Sequence, residues 1–194
     1  MNKLKVNFLY LVVLGGRAEK ANIELHDVRW VVGSKIEDTY DTLRNDWFGS
    51  SKGLHIDSYK KIQYIDGYKI NLINFERNKI GKKQLVKKII PKKKLWFVNI
   101  GGYNPTSMQE KHEFGLVIAS SKLEAINIAK SKWLIGCKKK HKDDLASLEM
   151  FITCDDCELI KKICIWEIEL TPDNNIIEEN NYPDWYGYKK IDEK

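Results

Sequence analysis

The chain has 194 residues, of which 43% are hydrophobic and 31% are charged, and its formal net charge is +6. The charged fraction is too high for a bundle of membrane helices, so this is the composition of an ordinary soluble globular protein. Four cysteines are too few for a secreted disulfide scaffold, and 21 aromatic residues exclude a disordered tail. We therefore expect one or two small domains with a hydrophobic core.

The N-terminal apolar run from Val6 to Leu14 follows two lysines and looks like the start of a secretory signal peptide. The same pattern recurs at residues 95–102, in mid-chain, where no signal could act, so both runs are interpreted as buried strands. No apolar stretch approaches the ~20 residues that a membrane span needs. The sequence predicts a cytoplasmic protein with reduced thiols and no membrane partner.

A shift of 86 residues aligns positions 9–57 with positions 95–143 without a gap. Twelve of the 49 aligned pairs are identical, against about three expected by chance. All four histidines of the chain fall into these pairs, His26 with His112 and His55 with His141. The chain therefore contains a tandem repeat in which histidine is one of the repeated residues.

Each repeat predicts two strands, then a helix, then a return to strand. In the first repeat we expect strands at about 7–14 and 23–33, a helix from the capping box Ser34-x-x-Glu37 to Trp47, and strands at about 55–64 and 68–75 joined by an Asp66-Gly67 hairpin. In the second repeat we expect strands at about 94–100 and 110–119, a helix from Ser121-x-x-Glu124 to Trp133, and a strand around 158–170. The predicted fold class is α+β: two tandem ββαββ repeats packed with pseudo-two-fold symmetry.

The predicted boundaries are a first repeat at 1–76, a basic linker at 77–93, and a second repeat with a C-terminal aromatic tail at 94–194. A unit of roughly 70 residues is marginally stable alone, so one fused globule is expected. The aromatic tail, 182–188, is expected to dock across the core or to stack on a planar ligand.

The basic charge is concentrated between Arg77 and Lys94, where nine basic residues occur without an acidic one. The rest of the chain holds 24 basic and 27 acidic residues and is slightly acidic. A lysine run can bind nucleic acid through counterion release, or it can be a solvated linker that its own charges keep extended. Only four of the 33 basic residues are arginine, which leaves few groups for bidentate recognition of bases and phosphates.

Two short motifs repeat around the histidines: E-x-H on a predicted strand, and H-x-D beyond the helix. Residues two apart on a strand share a face, so each histidine has a carboxylate beside it that can fix its tautomer. If both motifs of one repeat converge, two imidazoles and two carboxylates would suit zinc, iron or manganese. The alternative is a structural role, with each histidine bonded to loop backbone. The candidate ligand-pocket residues are Glu24, His26, His55, Asp57, Glu110, His112, His141 and Asp143.

The glycine pairs and the C-x-x-C motif each have more than one interpretation. Gly15, Gly16, Gly101 and Gly102 end the repeated strands and are candidates for positive φ or close backbone approach, with an anion cradle as a further alternative. The pair Cys154-x-x-Cys157 could be half of a metal site, a redox pair or buried apolar side chains.

Six strings suggest a family: Leu14-Gly-Gly16, Ala21-Asn-Ile-Glu-Leu-His-Asp27, Trp47-Phe-Gly-Ser50, Gly53-Leu-His-Ile-Asp57, Asp66-Gly-Tyr68 and Gly101-Gly-Tyr103. Together they resemble a mainly bacterial family filed as domain of unknown function 1543. The resemblance implies no particular activity or ligand. The lysine linker and the C-x-x-C look like departures from that family.

Three functions remain open from the sequence. The first is a binding or interaction module with His/carboxylate-lined pockets for a small molecule or a protein. The second is a metal-dependent enzyme, a hydrolase or oxygenase, with a divalent metal cofactor at His26, His55, His112 and His141. The third is a nucleic-acid-associated protein that uses Arg77 to Lys94. No residue is assigned as catalytic.

Overall fold

The computed structural model describes residues 6–74, 93–148, 150–154, 163–173 and 182–192. The first repeat contains β1 (Phe8–Gly16), β2 (Leu25–Gly33), a 3₁₀ turn (Ile36–Thr39), α1 (Tyr40–Asp46), β3 (His55–Ile62), β4 (Tyr64–Ile65) and β5 (Tyr68–Asn74). The second contains β6 (Lys94–Tyr103), β7 (Lys111–Ala119), α2 (Lys122–Lys132), β8 (Lys138–Ser147), β9 (Met150–Cys154) and β10 (Ile163–Pro172), and the chain ends with β11 (Trp185–Lys190). The described part of the chain is thus mostly β-sheet with few helices.

Each repeat builds an antiparallel sheet around its own glycine-ended strand. The first sheet has the order β11-β3-β1-β2, and the second has the order β7-β6-β8. In the first sheet Gly15 lies opposite His26 on one neighbour and His55 on the other. Gly101 has the same two neighbours in the second sheet, His112 and His141. The register therefore places all four histidines next to a repeated glycine.

The last strands of the two repeats lie in a third sheet, with the order β4-β5-β10-β9. The structure differs here from the predicted pairing of the strands at about 55–64 and 68–75, because β5 pairs with the short β4 and with β10 of the other repeat and not with β3. The Asp66-Gly67 hairpin forms as predicted, since both residues have positive φ and Ile65 pairs with Tyr68.

Strand alternation divides the apolar side chains into three clusters. Tyr10, Val12 and Leu14 of β1 face α1, and the equivalent side chains of β6 face α2. The opposite face of β1 carries Leu9, which packs with Leu95 and with residues of the third sheet. The first cluster therefore belongs to the first repeat together with Trp185 and Ile191 near the end of the chain, the second is internal to the second repeat, and the third joins the repeats.

The aromatic tail forms β11 and pairs with β3, so the end of the chain completes the sheet of the first repeat. Its Trp185 stacks on Tyr59, with ring centroids 6.0 Å apart. The second sheet has no corresponding strand among the described residues, and β8 is one of its edges. This difference sets how exposed His55 and His141 are.

Candidate functional site

The E-x-H and H-x-D motifs of the first repeat converge on one point. His55 Nε2 lies 3.1 Å from Glu24 Oε1 and 3.2 Å from Asp57 Oδ1. His26 Nε2 lies 3.2 Å from Asp57 Oδ2 and 3.7 Å from Glu24 Oε1. We call these four residues site 1. Two imidazoles thus share the same two carboxylates, as the sequence pattern predicted for converging motifs.

The second repeat assembles the equivalent residues, which we call site 2. His141 Nε2 lies 2.9 Å from both Glu110 Oε1 and Asp143 Oδ1. His112 Nδ1 lies 3.1 Å from Asp143 Oδ2, and its Nε2 lies 3.7 Å from Glu110 Oε2. One potential ligand atom from each of Glu110, His141 and Asp143 lies within 4.8 Å of the others.

We call His55 and His141 the inner histidines of sites 1 and 2. Backbone carbonyls fix which nitrogen of each inner histidine faces the carboxylates. His55 Nδ1 is 2.8 Å from the Gly53 carbonyl oxygen, and His141 Nδ1 is 3.1 Å from the Lys139 carbonyl oxygen. A carbonyl only accepts hydrogen bonds, so each Nδ1 carries the proton. The Nε2 atom of a neutral ring then presents a lone pair to two carboxylate oxygens. Such an arrangement calls for a cation between them, either a proton or a metal ion.

Two oxygens of site 2 support this interpretation. Glu110 Oε1 and Asp143 Oδ2 are buried and receive no hydrogen bond of acceptable geometry, although imidazole nitrogens lie close to both. Buried polar atoms are nearly always satisfied, and an ion is one of the few partners that can satisfy a carboxylate oxygen.

The glycines beneath the two sites leave room for the side chains above them. A Cβ atom on Gly15 would lie 2.5 Å from His55 Nε2, and one on Gly101 would lie 2.6 Å from Glu110 Oε1. Gly16 and Gly102 pack instead against Trp47 and Leu134. Among the described residues, positive φ occurs at none of these four glycines, so close approach explains their identity and backbone conformation does not.

The two sites differ in exposure. His55 is 1% exposed, because Tyr188 of β11 lies over its ring with a centroid distance of 4.0 Å. The side chain of His141 is 42% exposed, and its ring stacks on Tyr103 at 5.8 Å. The pKa of the Tyr103 phenol is raised, first by the negative charge of Glu110, with smaller contributions from desolvation and a hydrogen bond to that carboxylate. The two sites therefore differ at the histidine that Tyr188 covers in site 1, because its equivalent in site 2, His141, is partly exposed.

Two cavities border site 2. A cleft of about 1100 Å³ between the repeats is lined by Tyr59 and Ile62 on one side and by His112 and Phe114 on the other. A smaller cavity of about 370 Å³ lies beside His141 and is lined by Tyr103, Asn104, Pro105, Lys138 and Lys139. Each volume is within or near the range of small-molecule pockets.

Sequence reasoning did not single out several residues that shape the sites. Tyr188 and Tyr103 cover the imidazoles, and the carbonyls of Gly53 and Lys139 fix their tautomers. Positions 53 and 139 are equivalent under the 86-residue shift, and this equivalence was the sequence signal that could have pointed to the two supporting carbonyls. The other repeated residues singled out, Trp47 and Trp133, are core residues as predicted, 7% and 5% exposed.

Other candidates fall partly or wholly beyond the described residues. Of the basic segment Arg77 to Lys94, only Lys93 and Lys94 are described, and Lys93 Nζ lies 5.2 Å from the centroid of the Tyr68 ring. Cys157 and the side chain of Cys154 also lie outside the described part of the chain. Cys137 lies within it and is a free thiol. No helix in the described ranges is both long and apolar enough to cross a bilayer.

Comparison with known proteins identifies relatives whose function is not stated. A family model described as Domain of Unknown Function (DUF1543) matches twice, at residues 21–72 and 107–158, and each match contains one complete His/carboxylate set. The crystal structure of a protein Il1583 from Idiomarina loihiensis is similar, with a TM-score of 0.64 and 30% identity, covering 95% of this chain and 97% of that chain. No curated protein matches.

Proposed function

We propose that this protein, which belongs to the DUF1543 family, is a metal-dependent binding module in which sites 1 and 2 each hold one divalent transition-metal ion. The observation that carries the proposal is the orientation of His55 and His141. Each turns Nε2 toward two carboxylate oxygens at 2.9 to 3.2 Å.

The ligand types and spacings fit a metal ion. Nitrogen and oxygen ligands bound at about 2.1 Å around one ion lie about 3.0 to 3.4 Å apart, close to the separations in both sites. Two carboxylates and two neutral imidazoles carry a charge of about −2, which a divalent cation neutralises. Mixed imidazole and carboxylate sets suit zinc, iron and manganese.

A symmetric arrangement of the repeats is part of the proposal. The two sites use equivalent residues, and the order β4-β5-β10-β9 places the last hairpins of the two repeats on either side of the β5–β10 contact. We propose a pseudo-two-fold axis through this contact that relates two ββαββ repeats in one globule. The cytoplasmic location expected from the sequence belongs to the same proposal.

The first prediction concerns metal content. Full-length protein purified without a histidine tag should contain, or take up, two equivalents of zinc, manganese or iron, measured by inductively coupled plasma mass spectrometry. At a free metal concentration 100 times Kd, binding at each site stabilises the folded state by about 2.7 kcal/mol. For a chain of this size, that corresponds to a rise in Tm of about 5 to 10 °C for each occupied site.

Three variants make this test specific. His55→Ala and His141→Ala should each lose one equivalent. The control Glu113→Gln should keep two, because Glu113 points away from site 2 and accepts a hydrogen bond from the Leu134 amide. If no metal binds and none of the three metals changes Tm, the imidazoles are protonated partners of the carboxylates and the proposal is wrong.

The exposure of His141 in site 2 favours a second candidate function, a metal-dependent hydrolase or oxygenase. Catalytic metal sites keep one position free for water or substrate, whereas structural sites are closed. Metal-loaded protein should then hydrolyse activated esters or, with iron, consume oxygen. The activity should disappear in His141→Ala and persist in His55→Ala, and equal loss in both variants would contradict an active centre at site 2.

A further inference from the structure

The chain around site 2 carries more positive charge than the chain around site 1. Residues 52–57 read Lys-Gly-Leu-His-Ile-Asp, and the equivalent residues 138–143 read Lys-Lys-Lys-His-Lys-Asp. Three uncharged positions of the first repeat are therefore lysines in the second, while the site residues themselves are unchanged. The duplicated sites share their candidate metal ligands and differ in their electrostatic surroundings.

The lysines near site 2 have different environments. Lys140 donates to the carbonyl oxygens of Lys130 and Trp133 at the end of α2, and Lys142 donates to the Asp143 carbonyl. Lys138 and Lys139 instead line the cavity of about 370 Å³ beside His141. Neither forms an ion pair with any carboxylate in the described ranges. Their charges are available to a ligand.

Lys139 also occupies a backbone conformation that lysine rarely adopts. Its φ is +52°, whereas the equivalent residue of the first repeat is Gly53 with φ +82°. Both residues serve the same purpose, since their carbonyl oxygens accept the hydrogen bond from the inner histidine. Glycine would meet that purpose with less strain, so the lysine side chain indicates a second role at this position.

The cavity is open to solvent and has one aromatic wall. Because β8 is an edge strand, the strand that covers His55 in the first repeat has no counterpart over His141 among the described residues. Tyr103 stacks on His141 and also lines the cavity, so this side chain connects the cavity with site 2. A ligand in the cavity would contact the side chains of Lys138 and Lys139 and the Tyr103 ring that stacks on His141.

From these observations we infer that the cavity formed by Tyr103, Lys138 and Lys139 binds the carboxylate or phosphate group of an anionic small molecule. The two lysines neutralise the anion, and Tyr103 packs against the rest of the ligand. The inference rests on the proposed function in one respect: a metal ion at site 2 would cancel the charge of Glu110 and Asp143 and strengthen anion binding. The lysines attract the anion with or without the metal.

The experiment measures binding of inorganic phosphate and of acetate to the full-length protein by isothermal titration calorimetry, before and after manganese loading. Lys138→Gln/Lys139→Gln should weaken binding by about tenfold or more, the loss expected for charge-assisted hydrogen bonds to an anion. The control Lys52→Gln replaces the exposed counterpart of Lys138 at site 1 and should leave binding unchanged. Far-UV circular dichroism checks that each variant is folded.

The outcomes separate this inference from the proposed function. If the wild type binds phosphate or acetate and the double variant does not, the anion site is supported, even if manganese does not bind and the metal proposal fails. Equal affinity in the wild type and the double variant overturns the anion site, even if two metal ions are bound. Absence of phosphate and acetate binding in both metal states overturns it as well. Tighter binding of phosphate than of acetate identifies a phosphorylated ligand, and the reverse identifies a carboxylate.

Discussion

At the scale of single residues, the two repeats place a carbonyl under the inner histidine by different means. Gly53 reaches the left-handed region without steric cost, and Lys139 reaches it against the preference of its Cβ atom. The E-x-H and H-x-D pairs of each repeat were predicted to share a face, because residues two apart on a strand do so. Spacing did not fix the convergence of the two pairs. The carbonyl of Lys139 was not predicted, because a lysine does not indicate positive φ and only its equivalence to Gly53 pointed to it.

This difference predicts the effect of Lys139→Gly on stability. The substitution should raise the free energy of unfolding by about 1 kcal/mol, because it relieves left-handed strain at an exposed position. Urea denaturation followed by circular dichroism measures the change. The matched control Lys138→Gly should lower stability by about 0.5 to 1 kcal/mol, since glycine weakens an ordinary strand position. Destabilisation by Lys139→Gly would show that the side chain contributes more than the strain costs.

Gly101 lies directly beneath site 2 and gives a second residue-scale prediction. A Cβ atom there would overlap Glu110 Oε1 at 2.6 Å and His141 Nε2 at 2.9 Å. Gly101→Ala should therefore destabilise the protein by about 1 to 3 kcal/mol. It should also abolish metal uptake at site 2.

Gly102→Ala is the matched control for this change. Its Cβ atom would approach the terminal methyl of Leu134 at 3.0 Å, a flexible group that can move. Metal content should stay at two equivalents in Gly102→Ala and fall to one in Gly101→Ala. Full occupancy in Gly101→Ala would mean that the side chains above this glycine do not form the site.

At the scale of elements, strand positions followed the sequence more closely than helix openings did. The capping box Ser34-x-x-Glu37 does not form, because Asp38 accepts from both the amide and the hydroxyl of Ser34. In the second repeat Ser121 caps α2 as predicted, while the Glu124 carboxylate bonds Ser120 rather than Ser121. Both repeats thus use a carboxylate four residues after an equivalent serine, a spacing that the capping-box pattern does not contain.

The Ser120–Glu124 contact predicts a pH dependence. Hydrogen bonds from the Ser120 hydroxyl, and then from its amide, lower the pKa of Glu124 from 4.5. A carboxyl group whose pKa is lower in the folded state stabilises the protein above its unfolded pKa, and this contribution disappears as pH falls through the folded value. The stability difference between the wild type and Glu124→Gln should therefore shrink between pH 7 and pH 3.

Urea denaturation at each pH measures that difference. Glu19→Gln serves as the control, because Glu19 is exposed and has no hydrogen bond or ion pair within the described ranges. The difference between the wild type and Glu19→Gln should stay constant. If the difference in free energy of unfolding between the wild type and Glu124→Gln is also independent of pH, the contacts with Ser120 do not stabilise the charged form of the Glu124 carboxylate.

At the scale of the whole molecule, the repeats are joined by the β5–β10 pairing, by a shared apolar cluster and by Asp66. The cluster includes Trp30 and Phe97, whose ring centroids are 5.1 Å apart across the two repeats. Asp66 accepts from the Ile118 amide at 2.9 Å and pairs with Lys132 at 2.6 Å. A hairpin turn of the first repeat is thereby bonded to a strand and a helix of the second.

This connection predicts cooperative unfolding. Asp66→Ala should cost about 2 kcal/mol, because it leaves the Ile118 amide without its acceptor and puts alanine at positive φ. Asp66→Asn should cost less, since asparagine keeps an acceptor oxygen and tolerates that conformation. Tryptophan fluorescence and circular dichroism should report one transition that shifts as a unit. Two separate transitions would mean that the repeats unfold independently.

The sequence by itself determined the repeat, the α+β class, the strands that carry His26, His55 and His112, and the E-x-H and H-x-D motifs that recur in both repeats. These features depend on the spacing of residues along the chain, because residues two apart on a strand lie on the same face of the sheet. The sequence did not predict β8, the strand that carries His141. Only the tertiary structure decided that the final hairpins pair with each other and that β11 covers His55 but not His141. A free strand edge accepts any strand of suitable geometry, so its partner is chosen by contacts between residues far apart in the chain. Two nearly identical sites consequently differ in the exposure of one histidine, which is buried as His55 and partly exposed as His141.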